Sequence, residues 1–326
     1  MIIGYHASHE QFLPSDLLTF VRHAEEAGFG AVMTSDHIAP WSERQANSGN
    51  NWAWLGAAMA TTTLPFGSLA IPGGWRYHPV VLAHIVATLA EMFPDRLRWI
   101  AVGSGEGLNE HVVGKGWPEK AERDRRLYSS CKILRRLLRG ETVTESNAWF
   151  PLDSARLWSL PEKTPKIFGA ALSPATAEWM GDWVDGLLTV RKPQGKLEEI
   201  IQRFKAGGDA AKPVALQLQL SWGRTKEEAR GAAWDQWRVV AAPPDRLALL
   251  TSPASFDKVT CDVAPGEIDQ RMPLVTTGEE VLELIASCYS CGIEEIYIHN
   301  VSRWQLDFID FMAREVMPFT AQMHLS

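Results

Sequence analysis

The sequence predicts a (β/α)8 barrel on three observations. A short apolar run followed by a helical-period segment recurs along the chain, eight such runs can be counted, and no composition shift marks a linker between them. Parallel strands need crossover helices, and right-handed crossovers laid down in order close eight units into a barrel. A doubly wound open sheet is the rival. It wants a glycine-rich turn after its first strand, whereas here that strand runs into HASHEQF.

Taken in order, Ile2–Tyr5 reads as the first strand and PSDLLTFVRHAEEA, residues 14–27, as its helix, closed by Gly28. Ala31–Thr34 precedes a helix over Trp52–Thr61. Leu64–Ile71 precedes Pro79–Phe93, with proline in its first turn, and Leu97–Val102 precedes Ala121–Leu138. Residues 140–160 break the rhythm with alternating β-type residues and are expected to form a hairpin insertion. The strands Lys166–Ala170, Gly186–Thr189 and Val214–Leu220 then alternate with helices over Pro174–Trp183, Leu197–Ala206 and Thr225–Val239. The last of these opens on a T-x-x-E capping box, Thr225 and Glu228. Residues 241–277, rich in Pro, Asp and Ser, make a second insertion. The helix Glu279–Tyr289 completes the seventh unit, and Glu294–His299 with Trp304–Glu315 forms the eighth. Length alone suggests about two domains; the element count reduces 1–326 to one barrel domain with insertions near 140–160 and 241–277.

Hydrophobic residues at 46% and charged residues at 22% exclude disordered and fibrous classes. The balance 32 − 39 = −7 argues against nucleic acid or an anionic membrane as partner, since both need clustered Lys and Arg. No 18-residue apolar run and no basic leader are visible, so a cytoplasmic protein is expected. Cys288 and Cys291 form a C-x-x-C, which suits a redox pair or half a zinc site. Cys131 and Cys261 supply no second pair, and the motif ends a helix instead of opening one, so structural thiols are the better reading. Tryptophan, at 14 residues, is in excess; large aromatics bury area and line pockets for flat ligands.

Barrel ligands bind where the strands end. There the sequence offers His6, His9 and Glu10; Asp36 and His37; Ser104, Glu106 and Asn109; Arg191 and Lys192; His299 and Asn300. Trp41, Trp52, Trp54, Trp75 and Trp222 fall in the same loops. In TSDHIAPW, Asp36 can hold a ligand amide or hydroxyl while the His37 imidazole moves a proton; the plainer alternative is a buried histidine bonded to backbone. In GSGEGLNE, Glu106 is either a held general acid or a solvated carboxylate on a glycine-rich turn. The pair His6 and His9, with Glu10 beside them, suggests a metal, but i, i+3 spacing aligns two imidazoles only on a helix and this is a strand-to-loop junction, so none is expected. Arg191, Lys192 and Lys196 could hold phosphate at a helix start or merely solvate it.

Taken together, GYHASHEQF, TSDHIAPW, PGGWRYHP and GSGEGLNE resemble the luciferase-like class of flavin and deazaflavin F420 oxidoreductases. The pattern is similar to the F420-dependent glucose-6-phosphate dehydrogenases, and HASHEQF, SDHIAPWSERQ, NEH and DQWR look like the related FMN-using branch. The resemblance implies His37, Glu106 and Trp41 as the catalytic group. It implies ring and tail contacts from Asp36, Ser68, Leu69, Ala70, Ser104, Asn109, Ala171, Leu172 and Ser173. Glu10, Trp75, Arg191, Lys192, Lys258 and Arg271 fall on the substrate side. It also implies a cis peptide at Leu69–Ala70. Where F420 dehydrogenases carry Gly-Gly, this chain has Leu172–Ser173, whose side chains narrow the approach of a phosphate tail. FMN is therefore the favoured cofactor and F420 the alternative. The expected activity is hydride transfer at the ring, with monooxygenase action open to FMN, a separate flavin reductase as a possible partner, and a homodimer formed through aromatic helices near 52–60 and 75–93. A metal-assisted hydrolase barrel and a non-enzymatic flavin-storage protein are the competing readings.

Overall fold

The computed structural model describes residues 1–242, 247 and 250–320. Eight parallel strands close on themselves: β1 (Ile2–Ala7), β2 (Ala31–Thr34), β3 (Phe66–Ala70), β4 (Leu97–Val102), β7 (Lys166–Ala170), β8 (Gly186–Val190), β9 (Val214–Trp222) and β11 (Glu295–Asn300), with β11 pairing back to β1. The expected hairpin is β5 (Val143–Glu145) against β6 (Leu152–Ala155), antiparallel. The second insertion holds a helix at Pro253–Val259, a 3-10 turn at Pro265–Gln270 and the two-residue strand β10 (Leu274–Val275) on the edge of β9. Its residues 243–246, 248 and 249 lie outside the described set.

Local chemistry explains most helix starts. Proline occupies the first turn at Pro14, Pro79 and Pro174, where its missing N–H costs nothing. Asn50 and Ser173 accept from the N–H groups of Ala53 and Thr176. The capping box expected at Thr225 is only half formed. Thr225 accepts from the Glu228 N–H, but the Glu228 carboxylate takes the Arg224 N–H at 2.9 Å. A complete box stands instead at Thr277 and Glu280, whose side chain also takes the Thr276 N–H at 2.7 Å.

Inside the barrel, at the N-terminal end of the strands, three large rings fill the floor. Trp99 stacks on Phe168 at 5.3 Å and meets Tyr297 edge-on at 5.6 Å. They fit because neighbouring strands present glycine: a Cβ on Gly67 would lie 2.2 Å from Trp99, one on Gly186 2.4 Å from Phe168, and one on Gly4 2.3 Å from Tyr297. Large-against-none packing of this kind fills the barrel interior at this level. Below the floor, Arg98, Trp99 Nε1 and the Tyr297 hydroxyl all converge on Glu295, beside a cavity of about 260 Å³ that also touches Asp95, Lys163 and Lys166. This mouth lies at the strand beginnings, opposite the loops that carry the chemistry, and reads as a stability face.

Cys131 and Cys288 are buried, and all four cysteines are free. Burial pushes the Cys131 thiol up to about 12 and Cys288 up to about 11, which disfavours reactive thiolate. Among the described residues no helix is long and apolar enough to cross a membrane.

The five strand-end tryptophans do not form the expected wall. Trp52, Trp54, Trp75 and Trp222 are buried among the chain's own elements, and only Trp41 approaches His37. Trp54 packs on His9 and Phe66 and donates to the Pro14 carbonyl; Trp222 packs on Phe308 and Phe311. Rings this large gain more from filling the barrel-helix interface than from facing solvent. The helix Asn51–Thr61 therefore offers no exposed aromatic face.

His9 illustrates a consequence of that packing. It is fully buried, neither ring nitrogen has a partner, and burial lowers its pKa to about 4. Between that value and its ordinary 6.5 the unfolded chain binds the extra proton, so stability falls as pH falls through this window. The penalty reaches about 2 kcal/mol at pH 5. Replacing His9 with Phe should reduce the stability lost between pH 7 and pH 5 by about that amount, read from urea denaturation at the two values. An unchanged loss would show that His9 is not held neutral.

Candidate active site

The site is assembled by strand pairing. β1 and β2 pair Ala7 with Thr34, so Ser8–Glu10 and Ser35–His37 leave the barrel side by side. β3 and β4 pair Ala70 with Val102, which sends the loops carrying Arg76 and Glu106 out together. The short helix Gly107–Glu110 follows Gly105, whose φ of +83° favours glycine.

Asn109 sets the chemistry of His37. Its Oδ1 accepts the backbone N–H groups of Ile38 (2.9 Å) and Ala39 (3.3 Å), so its Nδ2 is the end that faces His37 Nδ1, at 3.1 Å. Nδ1 must accept, and a neutral ring then carries its proton on Nε2. That atom lies 3.2 Å from Glu10 Oε1. The other Glu10 oxygen takes the hydroxyls of Ser8 (3.0 Å) and Ser35 (2.8 Å). Burial alone would raise the Glu10 pKa. The nearby His37 and His6, the residue's own backbone N–H and the Ser35 hydroxyl outweigh it, and the net shift is downward. Glu106 stands 3.5 Å from Asn109 Nδ2, and there removal from water wins, aided by Glu10 and Glu110, so its pKa is raised. The site thus holds one ionised carboxylate beside His37 and one carboxyl biased toward its acid form. Trp41 lies 5.2 Å from the imidazole and is backed by Phe256 of the second insertion at 5.4 Å. Asp257 of the same helix accepts from Ser42, Glu43 and Arg44 and seats that helix on the Trp41 loop.

Asp36 is buried and gripped from one side. Arg76 Nη1 (3.2 Å) and the Tyr77 hydroxyl (3.3 Å) both reach Oδ1, while Oδ2 is buried without a partner. Burial raises its pKa against the pull of Arg76. His6 Nδ1 and Thr189 Oγ1 are likewise buried and unpartnered. Buried orphan polar atoms call for a partner. An acceptor such as Asp36 Oδ2 fits the N–H and O–H groups of a flavin or deazaflavin ring.

The structure therefore brings together Glu10, Asp36, His37, Trp41, Glu106 and Asn109. Ser104 is half-exposed in the loop after β4. Glu10, expected as a supporting carboxylate on the substrate side, partners His37. Ser68 is spent inside the barrel on Asn51 and Thr34, with Leu69 and Ala70 closing β3 beside it. All described peptide bonds are trans, so the cis bond expected at Leu69–Ala70 is absent; a cis non-prolyl bond costs about 3 to 4 kcal/mol, and trans is the cheaper form. Ala171 is buried and donates to Leu188, Ser173 caps its helix, and Leu172 between them is 58% exposed. Trp75 is buried, packing on Trp117 and under Arg126. Arg191 and Lys192 are half-buried after β8; burial and Lys196 lower the Lys192 pKa. Lys258 and Arg271 are exposed on the insertion, without contact to the His37 group. Among the described residues no three His, Cys, Asp or Glu side chains converge as a metal site.

Arg76, Glu110, Ser8 and Ser35 were not singled out by sequence. Arg76 stands within PGGWRYHP and Glu110 ends GSGEGLNE, so the motifs held the signal, but their pairing across 34 positions is visible only in three dimensions.

Comparison with known proteins identifies the family. An F420-dependent glucose-6-phosphate dehydrogenase of Microbacterium testaceum is 29% identical over 97% of this chain and 96% of its own length. One of Nakamurella multipartita is 28% identical over 97% and 95%. The structure of an F420-dependent secondary alcohol dehydrogenase in complex with an F420-acetone adduct superposes with a TM-score of 0.89, at 29% identity, covering 97% of this chain and 98% of that one. The sequence profile of the luciferase-like monooxygenases matches residues 3–295, and the chain belongs to that family of oxidoreductases.

Proposed function

We propose that this protein is an F420-dependent dehydrogenase that interconverts a small alcohol or sugar and its oxidised form. The observation that carries the reading is the His37 imidazole, fixed in one tautomer between Asn109 and Glu10 at the barrel mouth. FMN, favoured in the sequence because of Leu172–Ser173, gives way to F420 for two reasons. Leu172 is 58% exposed, so its side chain is not locked in place beside the helix start. The relatives matched along nearly the whole chain are named for F420.

When bound, the deazaflavin ring supplies hydride acceptance or donation. The chain's own part is to hold and move the accompanying proton. A proton arriving on His37 takes the Nδ1 lone pair in place of the Asn109 amide, Glu10 at Nε2 stabilises the imidazolium so formed, and Glu106, poised toward its acid form, can return a proton to a carbonyl oxygen. Asp36 Oδ2 and Ser104 would hold the ring, and Trp41 with Phe256 would exclude water from the substrate side. Arg191, Lys192, Lys258 and Arg271 are left for the distal end of the substrate.

Titration of purified protein with F420 and with FMN, followed by visible absorbance, tests the reading. F420 is expected to bind below about 100 μM, a free energy of about −5.5 kcal/mol, and more tightly than FMN. The reverse order would return the chain to the flavin monooxygenases.

A further inference from the structure

We propose that Arg76 is a positioning residue that sets the His37–Asn109 hydrogen bond by gripping both of its ends. The proposal deepens the reading of His37 as the proton-handling group and rests on it.

Arg76 is buried, its side chain 7% exposed, and a guanidinium so placed is tolerable only if its donors are used. They are used on two carboxylates from different loops. Nε (2.9 Å) and Nη2 (2.8 Å) reach Glu110 Oε1, Nη1 reaches Asp36 Oδ1 at 3.2 Å, and Nη2 also reaches the Asp36 carbonyl at 3.0 Å. That carbonyl belongs to the peptide unit leading into His37, so holding it fixes the backbone from which the imidazole projects. Glu110 directly follows Asn109, so holding its carboxylate fixes the turn from which the amide projects. Asn109 in turn ties the chain beyond His37 through Ile38 and Ala39. One rigid fork thus spans three strand-end loops, after β2, β3 and β4, and aligns donor and acceptor. A lysine keeps the charge but presents a single point that cannot reach both carboxylates and the carbonyl.

The ring nitrogens of ¹⁵N-histidine-labelled protein, with His37 assigned by its loss in His37→Gln, report this directly and need neither cofactor nor substrate. The cofactor reading can therefore fail without touching the result. Wild type is expected to show separate protonated and unprotonated nitrogens for His37. Arg76→Lys should merge them toward an exchange-averaged position, and Glu110→Gln and Tyr77→Phe should move them partway. Arg96→Lys serves as the control. Arg96 donates to the Met59 and Leu64 carbonyls at the opposite end of the barrel, so its loss should lower the melting temperature and leave the His37 signals in place. An Arg76→Lys protein that melts early but keeps the wild-type His37 pattern would overturn the proposal. Should Arg76→Lys not fold, unmoved signals in both Glu110→Gln and Tyr77→Phe would overturn it equally.

Discussion

Replacing His37 with Asn is expected to lower F420-dependent turnover by about 10² to 10⁴-fold while leaving cofactor affinity in place. That range is the usual worth of a positioned acid–base group. Asn retains a hydrogen-bonding side chain but cannot take up a proton near neutral pH, and the group proposed to hold the ring is Asp36, held separately by Arg76 and Tyr77. Glu10→Gln should fall less. The amide oxygen still accepts from His37 Nε2, but the stabilising charge 3.2 Å away is gone. Stopped-flow reduction of bound F420 separates these effects from binding. Full turnover by His37→Asn would remove the imidazole from the mechanism.

The second large effect is on stability. Trp99→Ala should cost about 3 to 5 kcal/mol, because it opens a cavity between Phe168 and Tyr297 that the facing glycine on β3 cannot fill. It also removes one of the donors to Glu295. Gly67→Ala attacks the same contact from the other side, since the new methyl would lie 2.2 Å from the indole. Urea denaturation of both variants measures this. A loss below about 1 kcal/mol for Trp99→Ala would mean that the floor is not closely packed.

These two sites differ in how far the sequence revealed them. Strand and helix order was legible because period-2 and period-3.6 apolar patterns are imposed by the barrel itself, and Ala31–Thr34, Leu97–Val102 and Lys166–Ala170 emerge with the bounds expected. His37, Asp36, Glu106 and Asn109 were legible because strand ends carry barrel chemistry. The floor was not, since nothing in one sequence tells which glycine faces which ring across neighbouring strands. The role of Arg76 was hidden for the same reason. The second insertion has no sustained period, so its helix at Pro253–Val259 and the backing of Trp41 by Phe256 could not be foreseen. The tryptophan excess misled. Residues next to a rim in sequence fold back beneath it when burial of a large ring outweighs exposure, as Trp54 and Trp222 do.

Proton-coupled hydride transfer to F420 is open to one direct measurement. F420-loaded protein mixed anaerobically with a panel of secondary alcohols and sugar phosphates should lose the absorbance of the oxidised deazaflavin with at least one of them, and the loss should vanish in His37→Asn. Retention of that absorbance with every substrate, together with oxygen-dependent turnover on FMN, would contradict it.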